Sequence, residues 1–166
     1  MTPIAIYPAT TSDISTLREF NNQVWPQTYT PILGEVQVRY MLDKFYAPEA
    51  LAHQMTTLKH EFFYATNHQE WLAFASIGPI DEVTFKLHKL YVLPSTQGTG
   101  LGHKMLQYIT QLLQQRNIKH LELNVNIYNQ KAIQFYEAKG FTQTLKEDID
   151  IGNGYYMNDY RYRLDL

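Results

Sequence analysis

Glycines at 98, 100 and 102 alternate in the run YVLPSTQGTGLG, Tyr91 to Gly102, which leads straight into the helical pattern HKMLQYITQLLQQR. Residues without a Cβ leave their amide N–H groups unobstructed, and a helix behind them adds the positive end of its dipole. Such a loop suits the holding of an anion, above all a pyrophosphate. The spacing is G-x-G-x-G; the dinucleotide fingerprint is G-x-G-x-x-G, and the P-loop ends in Gly-Lys-Ser/Thr, which is missing here. A flexible turn accounts for three glycines by themselves about as well. A second kind of chemistry lies in LELNVNI, Leu121 to Ile127, whose polar residues Glu122, Asn124 and Asn126 alternate with apolar ones. Glu122 and, on the strand before the glycine loop, His88 are residue types able to take a proton, and for each a plain structural role competes. The six histidines show no HExxH or paired ligand spacing, so no metal is expected. There is no G-x-S-x-G of a hydrolase. With no cysteine, a thiol nucleophile and disulfides are both excluded.

These residues need elements to position them. Ile4 to Tyr7 reads as a first strand. Thr11, Ser12 and Asp13 offer an N-cap to a helix with Ile14, Leu17, Phe20 and Val24 at helical spacing, which Pro26 and Pro31 are expected to break. GEVQVRYMLDKFY and PEALAHQMTTLKHE are two further helical stretches, the second with Pro48 in its first turn. FFYATNHQEWLAFASIG alternates around Asn67 to Glu70, as a hairpin does. VTFKLHKLYVL is a longer strand ending at Pro94. From Gly102 to Arg116 the residues Met105, Leu106, Ile109, Leu112 and Leu113 form one helical face. LELNVNI has the alternation of a half-buried strand. Asn129 can cap the next helix, which carries Ala132, Ile133 and Tyr136 on one side and stops at Gly140. Two closing strands follow, with the turn Gly152-Asn153-Gly154 between them. This order predicts one α/β (or α+β) domain over residues 1–166, with a mixed, mostly antiparallel sheet of six to seven strands and about four helices.

The whole chain agrees with that plan. At 166 residues, 45% hydrophobic and 18% charged, it has the composition of a globular domain long enough to bury a core. A formal net charge of -2 supplies no basic field to gather nucleic acid. No segment approaches the apolar length of a membrane helix, and MTPIAIYPATTSD lacks the features of a signal peptide, so a cytoplasmic protein is expected.

The run KLYVLPSTQGTGLGHKML, followed by NVNIYNQKAIQFYEAKGF, resembles motifs A and B of the GCN5-related N-acetyltransferase (GNAT) family. The first matches that family's strand, then Q/R-x-x-G-x-G/A, then helix, here Gln97-Gly98-Thr99-Gly100-Leu101-Gly102. The second matches its strand, Asn, helix, Tyr and Gly-Phe ending. The resemblance runs over about residues 4 to 164 and is most specific from 88 to 141. It implies acetyl-CoA as cosubstrate, with the pyrophosphate on the amides of Gly98 to His103 and the pantetheine arm paired with the backbone of Leu90, Tyr91 and Val92. It also implies direct attack by an amine, with the Val92 N–H polarising the thioester oxygen. Tyr136 falls seven residues after Asn129, as the family's general-acid tyrosine does, and Asn129 would touch the pantetheine arm as well as cap its helix. By residue type alone, a tyrosine on an amphipathic helix is a core residue, and this chain has 13 tyrosines.

The base is left open by the same resemblance. Many relatives carry a carboxylate at the position of Asn124, and an amide takes no proton. Glu122, two residues earlier on the same strand face, could act through a water, and a surface carboxylate is the competing reading. The ending YYMNDYRYRL, with TYTPIL and YMLDKFY upstream, looks like a bacterial subgroup that includes polyamine acetyltransferases. Asp148, Asp150, Asp159 and Glu35 could then face a cationic amine, although acidic loop residues are commonly solvated surface. The expected partner is a small amine, and a homodimer is compatible with the resemblance. The alternatives are transfer to a protein or peptide amine, and an acyl-CoA-binding module without turnover.

Overall fold

The computed structural model describes residues 2–166. Seven strands share one sheet in the order β1-β2-β3-β4-β5-β7-β6: β1 Ala5–Pro8, β2 Glu61–Thr66, β3 Trp71–Pro79, β4 Thr84–Val92, β5 His120–Asn126, β6 Thr142–Gly152 and β7 Tyr155–Asp165. β4 and β5 run parallel; β1–β2, β2–β3, β5–β7 and β6–β7 run antiparallel. The α-helices are α1 Ile14–Leu33, α2 Glu35–Phe45, α3 Pro48–Thr56, α4 Leu101–Gln115 and α5 Gln130–Ala138. Among the described residues no helix is long and apolar enough to cross a membrane.

The chain gathers into two compact units, Met1–Gly78 with Lys89–Ile109, and Pro79–His88 with Thr110–Leu166. In the first, β3 is buried along Leu72 to Gly78, as expected of a strand covered on both faces. Leu17, Phe20 and Val24 of α1, Leu51 of α3 and Phe62 of β2 are likewise buried. The apolar stripe read on α4 is confirmed at Met105, Leu106 and Ile109. In the second unit Leu121, Leu123 and Val125 are the buried face of β5, joined by Ile133, Phe141 and Tyr162. Asn126, at the end of the polar face, is also buried, and its Oδ1 accepts the Tyr128 N–H at 2.9 Å.

The five α-helices among the described residues agree with the expected fold of about four. One expectation needs correction. Pro26 and Pro31 do not break the first helix; both lie inside the 20-residue α1. Each proline removes one backbone donor, but side chains on the same helix bond back to it: Gln27 Nε2 donates to the Gln23 carbonyl at 3.3 Å, and the Thr28 hydroxyl to that of Val24 at 3.2 Å. The same stretch carries Trp25, whose ring packs on Tyr29 and Tyr46 at centroid distances of 4.6 and 5.5 Å. Burial of this aromatic face holds the helix through residues that would end an isolated one. At the other end of the chain, Gly152, Asn153 and Gly154 all have positive φ (88°, 54° and 79°), the backbone a tight hairpin turn requires.

Candidate active site

After β4 the chain makes a 3-10 turn, Pro94–Thr96, and then the glycine run. Gly98 and Gly100 adopt φ of +80° and +84°, a region that side-chain-bearing residues enter at a cost. A Cβ built on either glycine would meet no atom within 4 Å. The loop therefore needs glycine for its backbone shape, and the space on the Cβ side of both glycines is open. The Thr99 hydroxyl donates to the Thr96 carbonyl at 2.6 Å and fixes the turn. Helix α4 closes its first intrahelical bond from Lys104 N–H to the Gly100 carbonyl at 3.0 Å. The amides of Leu101, Gly102 and His103 precede that bond and have no partner within the helix. With the dipole of a 15-residue helix behind them, they line a cradle of the kind that would suit an anion.

The strand leading into the cradle is paired with β5 from Thr84↔His120 to Leu87↔Leu123. Leu90, Tyr91 and Val92 lie past that pairing, and the next amide, Leu93 N–H, bonds the Leu72 carbonyl of β3 at 2.9 Å. Tyr91 belongs to an aromatic group in the first unit: its hydroxyl is 3.1 Å from that of Tyr29, and its ring lies 5.9 Å from Trp25. Beside it, Lys89 Nζ donates to Gln54 Oε1 at 2.7 Å and sits over the rings of Tyr46 and Phe62 at 5.5 and 5.4 Å. Desolvation lowers this amine to about 8. Tyr46 is buried, and burial, reinforced by Tyr29, pushes its phenol up.

In the second unit, Asn129 caps α5 as its position promised, its side chain accepting the Ala132 N–H at 3.3 Å. Tyr136 lies on the buried side of that helix, 9% exposed. Its ring packs on Phe135 and Phe141 at centroid distances of 5.2 and 5.5 Å. Its neighbour Glu137 accepts a 2.7 Å bond from the hydroxyl of the fully buried Tyr162, which ties α5 to β7; burial and this carboxylate push the Tyr162 phenol up to about 12.

The polar face of β5 continues across its neighbours. Glu122 stands opposite Lys86 of β4 on one side and Arg163 of β7 on the other. Arg163 Nε and Nη2 both donate to Glu122 Oε1, at 3.1 and 2.7 Å. In the next row, Asn124 Nδ2 donates to Glu147 Oε1 of β6 at 2.8 Å and lies 3.4 Å from Asp159 Oδ2 of β7. Glu147 also receives Arg161 Nη2 at 3.1 and 3.3 Å. The Asn124 bond, with Arg161 second, holds the Glu147 carboxyl below its usual range. Lys86 is lowered, first by burial and then by Arg161. Among the described residues, no group of three or more His, Cys, Asp or Glu side chains is gathered as a metal would require.

The family profile described as Acetyltransferase (GNAT) family matches residues 19–141. The chain belongs to this family of acetyltransferases. Among curated proteins, the acetyltransferase is 22% identical over 149 residues to an uncharacterised N-acetyltransferase of Mycobacterium tuberculosis, covering 90% of this chain and 95% of the relative. It is 38% identical over 86 residues to the peptidyl-lysine N-acetyltransferase YiaC of Escherichia coli, covering 47% of this chain and 53% of that protein. Its fold is that of the PaiA N-acetyltransferase of Thermoplasma acidophilum, solved with coenzyme A (TM-score 0.83, 22% identity, 99% of each chain). The ribosomal-protein-S18-alanine N-acetyltransferase of Escherichia coli is also similar (TM-score 0.75, 19% identity, 99% of this chain and 94% of that one).

Within the acetyltransferase, the residues expected from sequence fall into three groups. Gln97 to His103 form the cradle, Leu90 to Val92 the strand end that feeds it, and Asn129 and Tyr136 opposite ends of α5. Glu122 is placed differently from the expected half-exposed carboxylate. Its side chain is 14% exposed and committed to the Arg163 guanidinium, a partner 41 residues away that no local pattern reveals. Breaking this partly buried pair in Glu122→Gln should cost about 1 kcal/mol, a fall of roughly 2–4 °C in melting temperature. An unchanged melt would mean that the pair contributes nothing. Lys89 was not singled out from sequence, and Asp159 was read only as one of several acidic residues that could face a cationic amine, because sequence alone does not expose a desolvated amine or a carboxylate buried by its neighbours. The only signal was a lysine inside the apolar strand run KLYVL.

Proposed function

We propose that this acetyltransferase moves the acetyl group of acetyl-CoA directly to a primary amine of a small molecule, a polyamine being the favoured class. The observation that carries the coenzyme part of this reading is the turn of Gly98 to His103, with two glycines at positive φ and open space where their Cβ atoms would stand. Backbone donors held by a preformed turn can bind a pyrophosphate without a cluster of lysines. Acetyl-CoA supplies an activated acyl thioester. Leu90, Tyr91 and Val92 then offer backbone groups to the pantetheine arm as a paired strand would, and the Val92 N–H faces the developing negative charge on the thioester oxygen. Tyr136 gives its hydroxyl proton to the departing sulfur, and Asn129 steadies the arm while capping α5.

The acceptor class rests on carboxylates. The exposed Asp148 and Asp150 of β6 present negative charge that suits an amine bearing more than one cationic nitrogen. Two acidic residues read from sequence contribute less: Glu35 is paired with Arg39 at 3.0 Å on the surface, and Asp150 Oδ1 also accepts the Gly152 N–H at 2.8 Å. A second reading, transfer to a peptidyl lysine, is favoured by the 38% identity to a peptidyl-lysine N-acetyltransferase over about half of each chain.

Thiol release from acetyl-CoA over a panel of acceptors separates these readings. The proposal expects turnover with di- and polyamines above that with lysine-bearing peptides. Preference for the peptides would transfer the assignment to the second reading. Coenzyme binding with no thiol release on any amine would make the chain an acyl-CoA-binding module.

A further inference from the structure

The amide of Asn124 takes no proton, yet the structure brings a carboxylate to the end of its side chain from another strand. Asp159 lies on β7, opposite Asn126 of β5 and Glu147 of β6. It is 2% exposed, and its Oδ2 is 3.4 Å from Asn124 Nδ2. On the same amide, Asn124 Oδ1 is buried and has no hydrogen-bond partner. A buried acceptor without a protein donor is costly unless a water or a ligand completes it. Asn124 Oδ1 and the Asp159 carboxylate therefore make a pair of acceptors suited to the N–H groups of an amine.

We propose that Asp159 is the proton acceptor of the transfer reaction, with Asn124 Oδ1 orienting the acceptor nitrogen. This rests on the reading of the chain as an amine acetyltransferase. In the step, the lone pair of the neutral amine forms the C–N bond and the C–S bond breaks. The proton made acidic on nitrogen passes to Asp159, and the sulfur takes a proton from Tyr136. Glu122 does not compete for this role because its Oε1 is held by Arg163. Glu147, the other carboxylate on Asn124, is neutralised by Arg161.

The charged groups facing Asp159 within its unit are Lys86 of β4 and Glu147 of β6, with Asn124 as hydrogen-bond donor. His88 lies on the same strand face two residues beyond Lys86, and the Glu122–Arg163 and Glu147–Arg161 pairs fill the adjoining rows. Burial raises the Asp159 carboxyl above its ordinary value, outweighing Asn124 and Lys86, which lower it, while Glu147 raises it further. The sign for activity follows: the base works when deprotonated, so kcat should climb as pH rises through this raised value and then level off. The sign for stability is opposite. A carboxyl whose folded value is raised makes ionisation unfavourable in the folded state, so Asp159 costs stability as pH rises through that window.

The test is the pH dependence of kcat, by thiol release with saturating acetyl-CoA, for two primary amines of different basicity. The wild type should show one limb common to both amines. Asp159→Asn should lose about 100-fold or more in kcat at neutral pH, keep its coenzyme affinity and melt no lower than wild type. Moving the carboxylate back in Asn124→Asp/Asp159→Asn should recover much of the rate. A limb in the wild type that follows each amine's own pKa would overturn the proposal without any variant. So would a folded Asp159→Asn within about twofold of wild type. Absence of turnover in the wild type on every amine would instead defeat the proposed function itself.

Discussion

Tyr136→Phe should lower kcat by 10²–10⁴-fold while coenzyme affinity stays within about twofold, because general-acid help of that size is lost with one hydroxyl. In barrier terms this is roughly 3–5 kcal/mol. The substitution keeps the ring that packs between Phe135 and Phe141, and it leaves the Tyr162–Glu137 bond that ties down α5. A folding defect is therefore not expected, and a thermal melt alongside the kinetics checks this. Activity within twofold of wild type would return Tyr136 to the status of a core residue, which its 9% exposure also allows.

Gly100→Val should weaken coenzyme A binding by about 100-fold, the loss of two amide–phosphate bonds at roughly 1.5 kcal/mol each. At φ +84° a β-branched residue is strained by about 1–2 kcal/mol, and relief of that strain would turn the amides away from the ligand. The new side chain would meet no protein atom close to its Cβ, so the protein should remain folded. Calorimetric titration with coenzyme A reads the effect, and an unchanged affinity would remove the pyrophosphate from this loop.

The parts legible in the sequence are those governed by local rules. The perfect alternation of LELNVNI placed β5, and the buried Leu121, Leu123 and Val125 follow from it. The Asn129 cap and the Gly152-Asn153-Gly154 turn were set by residues with distinctive backbone chemistry. Gly98 and Gly100 were legible for the same reason: only a backbone at positive φ makes glycine necessary at both. What escaped was tertiary. Pro26 and Pro31 argue against a helix locally, and the burial of Trp25 against Tyr46 overrides them. Arg163 of β7 meets Glu122 from the adjacent strand, 41 residues away in the chain. Asp159 looked like any acidic residue near a chain end until β5 and β6 closed around it. Lys89 had the same fate: its lowered pKa comes from burial, in a place shared with Tyr46 and Phe62, far from it in sequence.

Asn124 shows how the two levels combine. As a sequence letter it signalled a missing base, because an amide takes no proton. In the fold its Nδ2 meets two carboxylates, and its Oδ1 is left without a donor. In our proposal the missing group comes from Asp159 on the strand that pairs beside it, a placement that sheet register permits and linear spacing conceals.

The central claim is that the glycine turn opening α4, fed by the end of β4, holds acetyl-CoA. Backbone amide NMR during a titration with acetyl-CoA tests it most directly. The account predicts the largest saturable shifts at Gly98 to His103, with a second set along Leu90 to Val92. Saturable shifts elsewhere, with the amides of Gly98 to His103 unmoved, would contradict it.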